Sequence, residues 1–207
     1  AVNWDEDTKL KAVLSQTIFA DVVTLPSTEI NDSNFPRLEI YKKGGYAPDD
    51  VPAADMDSNG WPQTGRNKAV KKLRKAFAVH IAGDQHLGST VQYGVDEYGD
   101  SGFALCVPSI ANFYPRRWFP TEAGKNREPG APKNTGDFED GFGNRMTVHA
   151  VSNPFISGVA PAELHDRAAG YGIVRFNKES RDITMENWSR FSNPSEGGKP
   201  YDGWPVV

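Results

Sequence analysis

The first patterned stretch of the chain is an apolar, β-branched run over 10–19, LKAVLSQTIF, which predicts a buried strand. Residues 26–52 are polar and rich in Pro and Gly and show neither a strand nor a helix period. They read as a long surface excursion of the kind tied to function or partner contact. A loop rich in side-chain oxygens follows over 54–66. Over 67–77 the apolar positions Ala69, Val70, Leu73, Ala76 and Phe77 mark one helical face, with Lys68, Lys71, Lys72, Arg74 and Lys75 outside it. The helix runs into a short apolar strand, Ala78–Ala82, and the strand into a polar turn, Gly83-Asp84-Gln85-His86. Residues 103–107 read as another buried strand, 112–120 as an aromatic and arginine loop, and 120–135 as a polar loop carrying Pro120, Pro129 and Pro132. Alternation over 145–151 predicts a strand, and 171–176 with 183–188 predict an antiparallel hairpin. The tail, 193–207, is loop-like. With no internal repeat and no linker, residues 1–207 read as one α/β (α+β) unit.

Composition narrows the class of protein. A chain of 207 residues with 38% hydrophobic and 24% charged residues can bury a sizeable core without staples. No apolar run approaches the roughly 18 residues of a membrane span. The formal net charge of −4 argues against a nucleic-acid surface, and the helix lysines read as a solvated face. The single cysteine, Cys106, excludes an internal disulfide and a Cys-rich zinc site; inside an apolar run it reads as a buried, inert thiol. The opening AVNWDEDTK lacks the form of a signal peptide, which leaves a cytoplasmic protein, a processed one or a fragment. Asn31 and Asn187 each head a triplet of the glycosylation pattern, a pattern that chance also supplies.

The candidate chemistry centres on Asp84 and His86. A carboxylate and an imidazole two residues apart, at the end of a buried strand, make a pair of metal ligands suited to iron, zinc or manganese. The same residues are open to a structural role, with Asp84 capping a downstream helix and His86 packing locally. Asp55, Asp57, Asn59 and Gly60 match the first half of an EF-hand loop, but position twelve falls on Arg66, where a bidentate Glu is needed. Asp57 and Asn59 remain ligands for another geometry, or an Asx-turn leading into the helix. His80 and His149 lie inside strands, where a satisfied core histidine is the expected role, while His165 sits in a polar loop that could reach a site. Arg116 and Arg117, between Tyr114 and Trp118, suit bidentate phosphate binding, or else aromatic stacking or a structural carboxylate pair. There is no phosphate-cradling glycine loop and no Gly-x-Ser-x-Gly elbow.

Three segments in order carry a family resemblance: KAVLSQT over 11–17; Asp57-Ser-Asn-Gly-Trp-Pro62 with Arg66; and His80-Ile-Ala-Gly-Asp-Gln-His86. Together they resemble the C-terminal half of the alkaline phosphatase D (PhoD-like) metallophosphatases, in the calcineurin-like phosphoesterase superfamily. The resemblance covers most of the chain, with Trp61 standing where the family has Tyr. It implies part of a four-layer α-β-β-α sandwich with metals, usually iron with calcium, at the strand ends. It implies phosphate-ester hydrolysis by a metal-activated hydroxide, with two cations about 3.5–4 Å apart. On this basis Asp84 and His86 are catalytic and metal residues, Asp57 a further metal residue, and Asn59, Arg116 and Arg117 substrate contacts. The superfamily's early ligands are absent, so an N-terminal half or a second polypeptide is expected to complete the site. The family's compartment is extracytoplasmic. The competing reading is a non-catalytic structural or binding subunit that keeps the sandwich.

Overall fold

A computed structural model describes residues 3–27, 49–56, 58–111, 116–154 and 168–207. Much of the 26–52 excursion, Asp57, residues 112–115 of the aromatic loop and His165 lie outside the described residues. In chain order the elements are β1 (Lys11–Leu14), β2 (Thr24–Pro26), β3 (Asp50–Pro52), α1 (Gln63–Ala76), β4 (Ala78–Ala82), β5 (Ser89–Tyr93), β6 (Phe103–Cys106), β7 (Gly136–Glu139), β8 (Arg145–Val151), β9 (Gly170–Phe176) and β10 (Ile183–Ser189).

Six strands form one mixed sheet in the order β1-β4-β6-β5-β8-β7. The first three, β1, β4 and β6, are parallel, and β5, β8 and β7 continue the sheet antiparallel. The architecture is therefore α+β, with one α-helix among the described residues. One face of the sheet carries Ala82, Val91, Tyr93, Ala104, Cys106, Met146 and Val148, and buries them against Val70 and Leu73 of α1 together with Ile18, Val22 and Trp118. The other face presents Val79 and Leu105 to Met185, Val174 and Ile183 of the hairpin β9–β10.

The helix starts at Gln63, four residues ahead of its apolar periodicity. The hidden part of its inner face is Arg66, which is buried and donates to the carbonyls of Phe19 (2.9 Å) and Arg145 (3.1 Å) and to Gly94. A cation on the buried face interrupts the hydrophobic pattern by which an amphipathic helix is read. At the other end Phe77 adopts a left-handed conformation (φ 49°, ψ 41°) and its N–H returns to the carbonyls of Leu73 and Arg74. That reversal sends the chain directly into β4.

The run expected as a strand over 10–19 is a strand only over Lys11–Leu14. Beyond Leu14, the chain leaves the sheet edge and lines the strand ends. Strands β2, β3, β5 and β7 were not anticipated. Between Thr90 and Val91 the β5–β8 register shifts, which inserts His149 as an extra residue on β8. Such a bulge bends the strand and re-aims its end, here towards Ser152, whose Oγ accepts the Gly88 N–H at 3.0 Å.

Candidate metal centre

The carboxyl ends of parallel strands are where open α/β sheets gather their ligand-binding groups. Here β4 ends at Ala82, and the next four residues make a tight, strained turn. Gln85 N–H donates to the Gly83 carbonyl at 2.8 Å. This i→i+2 bond closes a γ-turn around Asp84, whose φ is +68°. His86 is also left-handed, with φ +56°. Each such non-glycine residue costs roughly 1–3 kcal/mol, which surrounding contacts offset here.

Those contacts come from the three residues that follow β1. The Gln16 carbonyl accepts from Gly83 N–H at 2.9 Å, and Gln16 Nε2 donates to Asp84 Oδ2 at 2.9 Å. Thr17 Oγ1 accepts from Gln85 Nε2 at 3.2 Å. Gln85, fully buried, also donates to the Ala20 carbonyl at 2.7 Å. Asp84 and His86 thus flank a locked side chain while they themselves stay half-buried. Ser15 Oγ lies 2.7 Å from His80 Nε2, and His80 Nδ1 lies 2.8 Å from the Tyr93 hydroxyl.

The hydrogens of this last chain can all be placed. Burial keeps the His80 ring neutral, so with one ring N–H committed to Ser15 its Nδ1 accepts the Tyr93 hydroxyl proton, and the Tyr93 oxygen in turn accepts the Phe19 N–H at 3.0 Å. Nε2–H then donates to Ser15 Oγ, and Ser15 donates to the Thr17 carbonyl at 2.7 Å. His80 is a neutral core histidine that supports the turn. Burial holds its pKa down at about 4 and pushes the Tyr93 phenol up. His149 is also pushed down by burial and rests against Phe103 at 5.1 Å between centroids. Cys106 is buried beneath the turn, with its thiol pushed up to about 12 by burial.

Asn59 reaches the same corner. Its Nδ2 donates to the Thr17 carbonyl at 2.8 Å and its N–H to the Ile18 carbonyl at 3.2 Å. The 58–61 segment therefore lies one residue removed from the Asp84 turn, through Thr17. Asp57, the other expected ligand of this loop, is outside the described residues.

Arg116 and Arg117 are buried against carboxylates. Arg116 donates to Asp21 Oδ1 (3.2 Å) and Asp55 Oδ2 (2.6 Å). Arg117 forks onto Asp50, Nε to Oδ2 at 2.7 Å and a terminal nitrogen to Oδ1 at 2.8 Å. This is the structural pairing that the sequence left open beside phosphate binding. Burial drives the Asp21 carboxyl well above its usual range, and Arg116 offsets part of that rise.

Among the described residues no three His, Cys, Asp or Glu side chains stand together as a metal-holding group. Asp84 and His86 are one hard oxygen donor and one imidazole on a rigid frame, a donor set that fits part of a coordination sphere. An apolar cavity of about 520 Å³, lined by Leu73, Phe77, Val79, Phe103 and Met185, lies at the amino end of β4 and includes no residue of the turn.

Of the residues that build this corner, the sequence did not single out the roles of Ser15, Gln16, Thr17 and Gln85. The signal available was the run of three polar residues interrupting an apolar stretch just beyond β1. No family model, no curated protein and no solved structure matches the chain.

Proposed function

We propose that this chain carries the C-terminal half of a metal-dependent phosphoesterase site of the PhoD-like kind, within a four-layer α-β-β-α sandwich. The observation that supports this most is the strained Gly83–His86 turn at the carboxyl end of a central parallel strand, where Asp84 is held by Gln16 from the neighbouring strand end. Non-glycine residues held in the left-handed region cluster at functional sites, and here two of them, Asp84 and His86, stand two residues apart in one turn. Asp84 and His86 would hold the metal, and Asp57 would be a further ligand, as the resemblance implies. A metal bound there supplies a water nucleophile near neutral pH and a Lewis acid for phosphoryl oxygens. Iron with calcium is the combination the resemblance implies. This chain's own contribution is positional. Gln85 and Thr17 lock the turn, Gln16 orients the carboxylate, and Asn59 ties the loop 58–61 to it. Arg116 and Arg117, the sequence's phosphate contacts, would reach an ester only by exchanging a carboxylate partner for it.

A second reading is a structural or binding subunit that keeps the sheet without turnover. It is favoured by the want of a three-ligand group among the described residues. Elemental analysis of the protein and any polypeptide that co-purifies, with assay on bis(p-nitrophenyl) phosphate, separates the two. The enzyme reading expects bound transition metal and turnover that fall together in Asp84→Asn and His86→Ala. Bound metal and turnover at wild-type levels in both variants would reject Asp84 and His86 as the site. Neither metal nor turnover in any preparation would leave the structural subunit.

A further inference from the structure

We infer that Gln16 is a positioning residue that presents Asp84 as a single-oxygen ligand, and that Ser15 and Thr17 hold it in register. The inference rests on the metal reading of Asp84 and His86. Gln16 grips the turn at two points, with its carbonyl on Gly83 N–H and its side-chain amide on Asp84 Oδ2, each at 2.9 Å. The neighbours on either side prevent slippage. Ser15 is pinned to the buried His80 at 2.7 Å, and Thr17 to the buried Gln85 at 3.2 Å. Three successive residues after β1 thus meet β4 and its turn at His80, at Gly83 and Asp84, and at Gln85.

The chemistry is set by which atoms donate and which accept. A primary amide nitrogen donates and does not ligate a cation. Oδ2 commits one of its lone pairs to that donor, which makes Oδ1 the oxygen with the greater capacity left for a metal. The γ-turn fixes the Asp84 backbone but not the rotation of its carboxylate, and the amide of Gln16 does that. Partners that orient a metal-ligating group typically change metal affinity 10–100-fold when removed. Gln16 is exposed, so its own contribution to packing is small.

The test uses the protein with whatever polypeptide co-purifies, and Mn²⁺ as the probe. Titration followed by electron paramagnetic resonance counts free Mn²⁺ and reports the bound ion's spectrum. Gln16→Met keeps the volume and removes the donor. We expect its Mn²⁺ dissociation constant to rise about 10-fold or more, with an altered bound spectrum and an unchanged thermal midpoint in the metal-free protein. In the metal-free protein the Gln16 side-chain amide resonances should also shift in Asp84→Ala, independently of any metal. Wild-type Mn²⁺ affinity in Gln16→Met, with clear weakening in Asp84→Asn and His86→Ala, would overturn the role of Gln16 while leaving the metal reading intact. Wild-type affinity in all three variants would overturn both. Amide resonances unmoved in Asp84→Ala would overturn the contact itself.

Discussion

Single residues decide how this chain ends its elements. Phe77 closes α1 in the left-handed region although its side chain is 80% exposed, so little packing holds it there. A left-handed β-carbon costs roughly 1–2 kcal/mol, and glycine avoids that at the expense of a freer unfolded chain. Phe77→Gly should therefore stabilise the protein by a few tenths to about 1 kcal/mol, read as a higher denaturation midpoint in urea; a lower midpoint would reject the argument. His80 gives a pH signature. Unfolded, its imidazole titrates near 6.5, and in the fold near 4. Between those values the unfolded chain binds the extra proton. The stability linked to His80 is thus complete above about pH 6.5 and is lost as pH falls toward 4, by up to about 3 kcal/mol. His80→Asn should be less stable at pH 7.5 yet lose less between pH 7.5 and 4.5 than the parent. An equal loss in both would show that His80 does not carry the effect. Asp84 and His86 were legible at this scale because Gly-Asp-x-His comes directly after an apolar run. Their left-handed backbones were not, since neither residue is a glycine.

At the scale of elements, what could be read came from a single period. Residues 67–76 of the helix, β4, β6, β8 and the final hairpin each keep one pattern over their length. The missed elements break that rule in nameable ways. Strand β5 is short and half polar, with Ser89 and Thr90 buried. Strand β7 opens on Gly136 and comes after a polar loop. The pair β2–β3 joins the two ends of the long polar excursion, so no local pattern announces it. Its register is held partly by electrostatics. Asp50 is fully buried, accepts the fork of Arg117 and the Thr24 hydroxyl at 2.8 Å, and has no exposure to exchange these for water. Removing one member strands the other's charge. Asp50→Ala should cost about 3–5 kcal/mol, measured by chemical denaturation. Asp50→Leu combined with Arg117→Met should recover part of that, because the unpaired cation is gone. A double variant no better than the single would argue that the pair holds the fold by its hydrogen bonds alone.

The whole molecule has two unlike sheet edges. At the far edge, β7 is covered: Asp137 exchanges backbone hydrogen bonds with Lys125 at 2.8 and 3.1 Å, and Asn126 Nδ2 binds its carboxylate. At the near edge, β1 pairs among the described residues with β4 alone, and Leu14 is 75% exposed. Unpaired edges of this kind are usually blunted or covered. Ser15 N–H points to β4, donating to the Ile81 carbonyl. In a parallel ladder alternate amides face the same neighbour, so Val13 also faces β4 while Ala12 and Leu14 face outward. The proposal that a further polypeptide completes the sheet and the metal site then has a readout free of catalysis. In amide hydrogen exchange on this chain alone, Ala12 and Leu14 should exchange much faster than Val13. When the completing polypeptide is present, both should become protected, and Mn²⁺ affinity should rise with the same dependence on its concentration. Protection of Ala12 and Leu14 without any gain in metal affinity would assign that edge to a structural partner. Strong protection in this chain alone would mean that its own residues close the edge, and would remove the argument for a missing half.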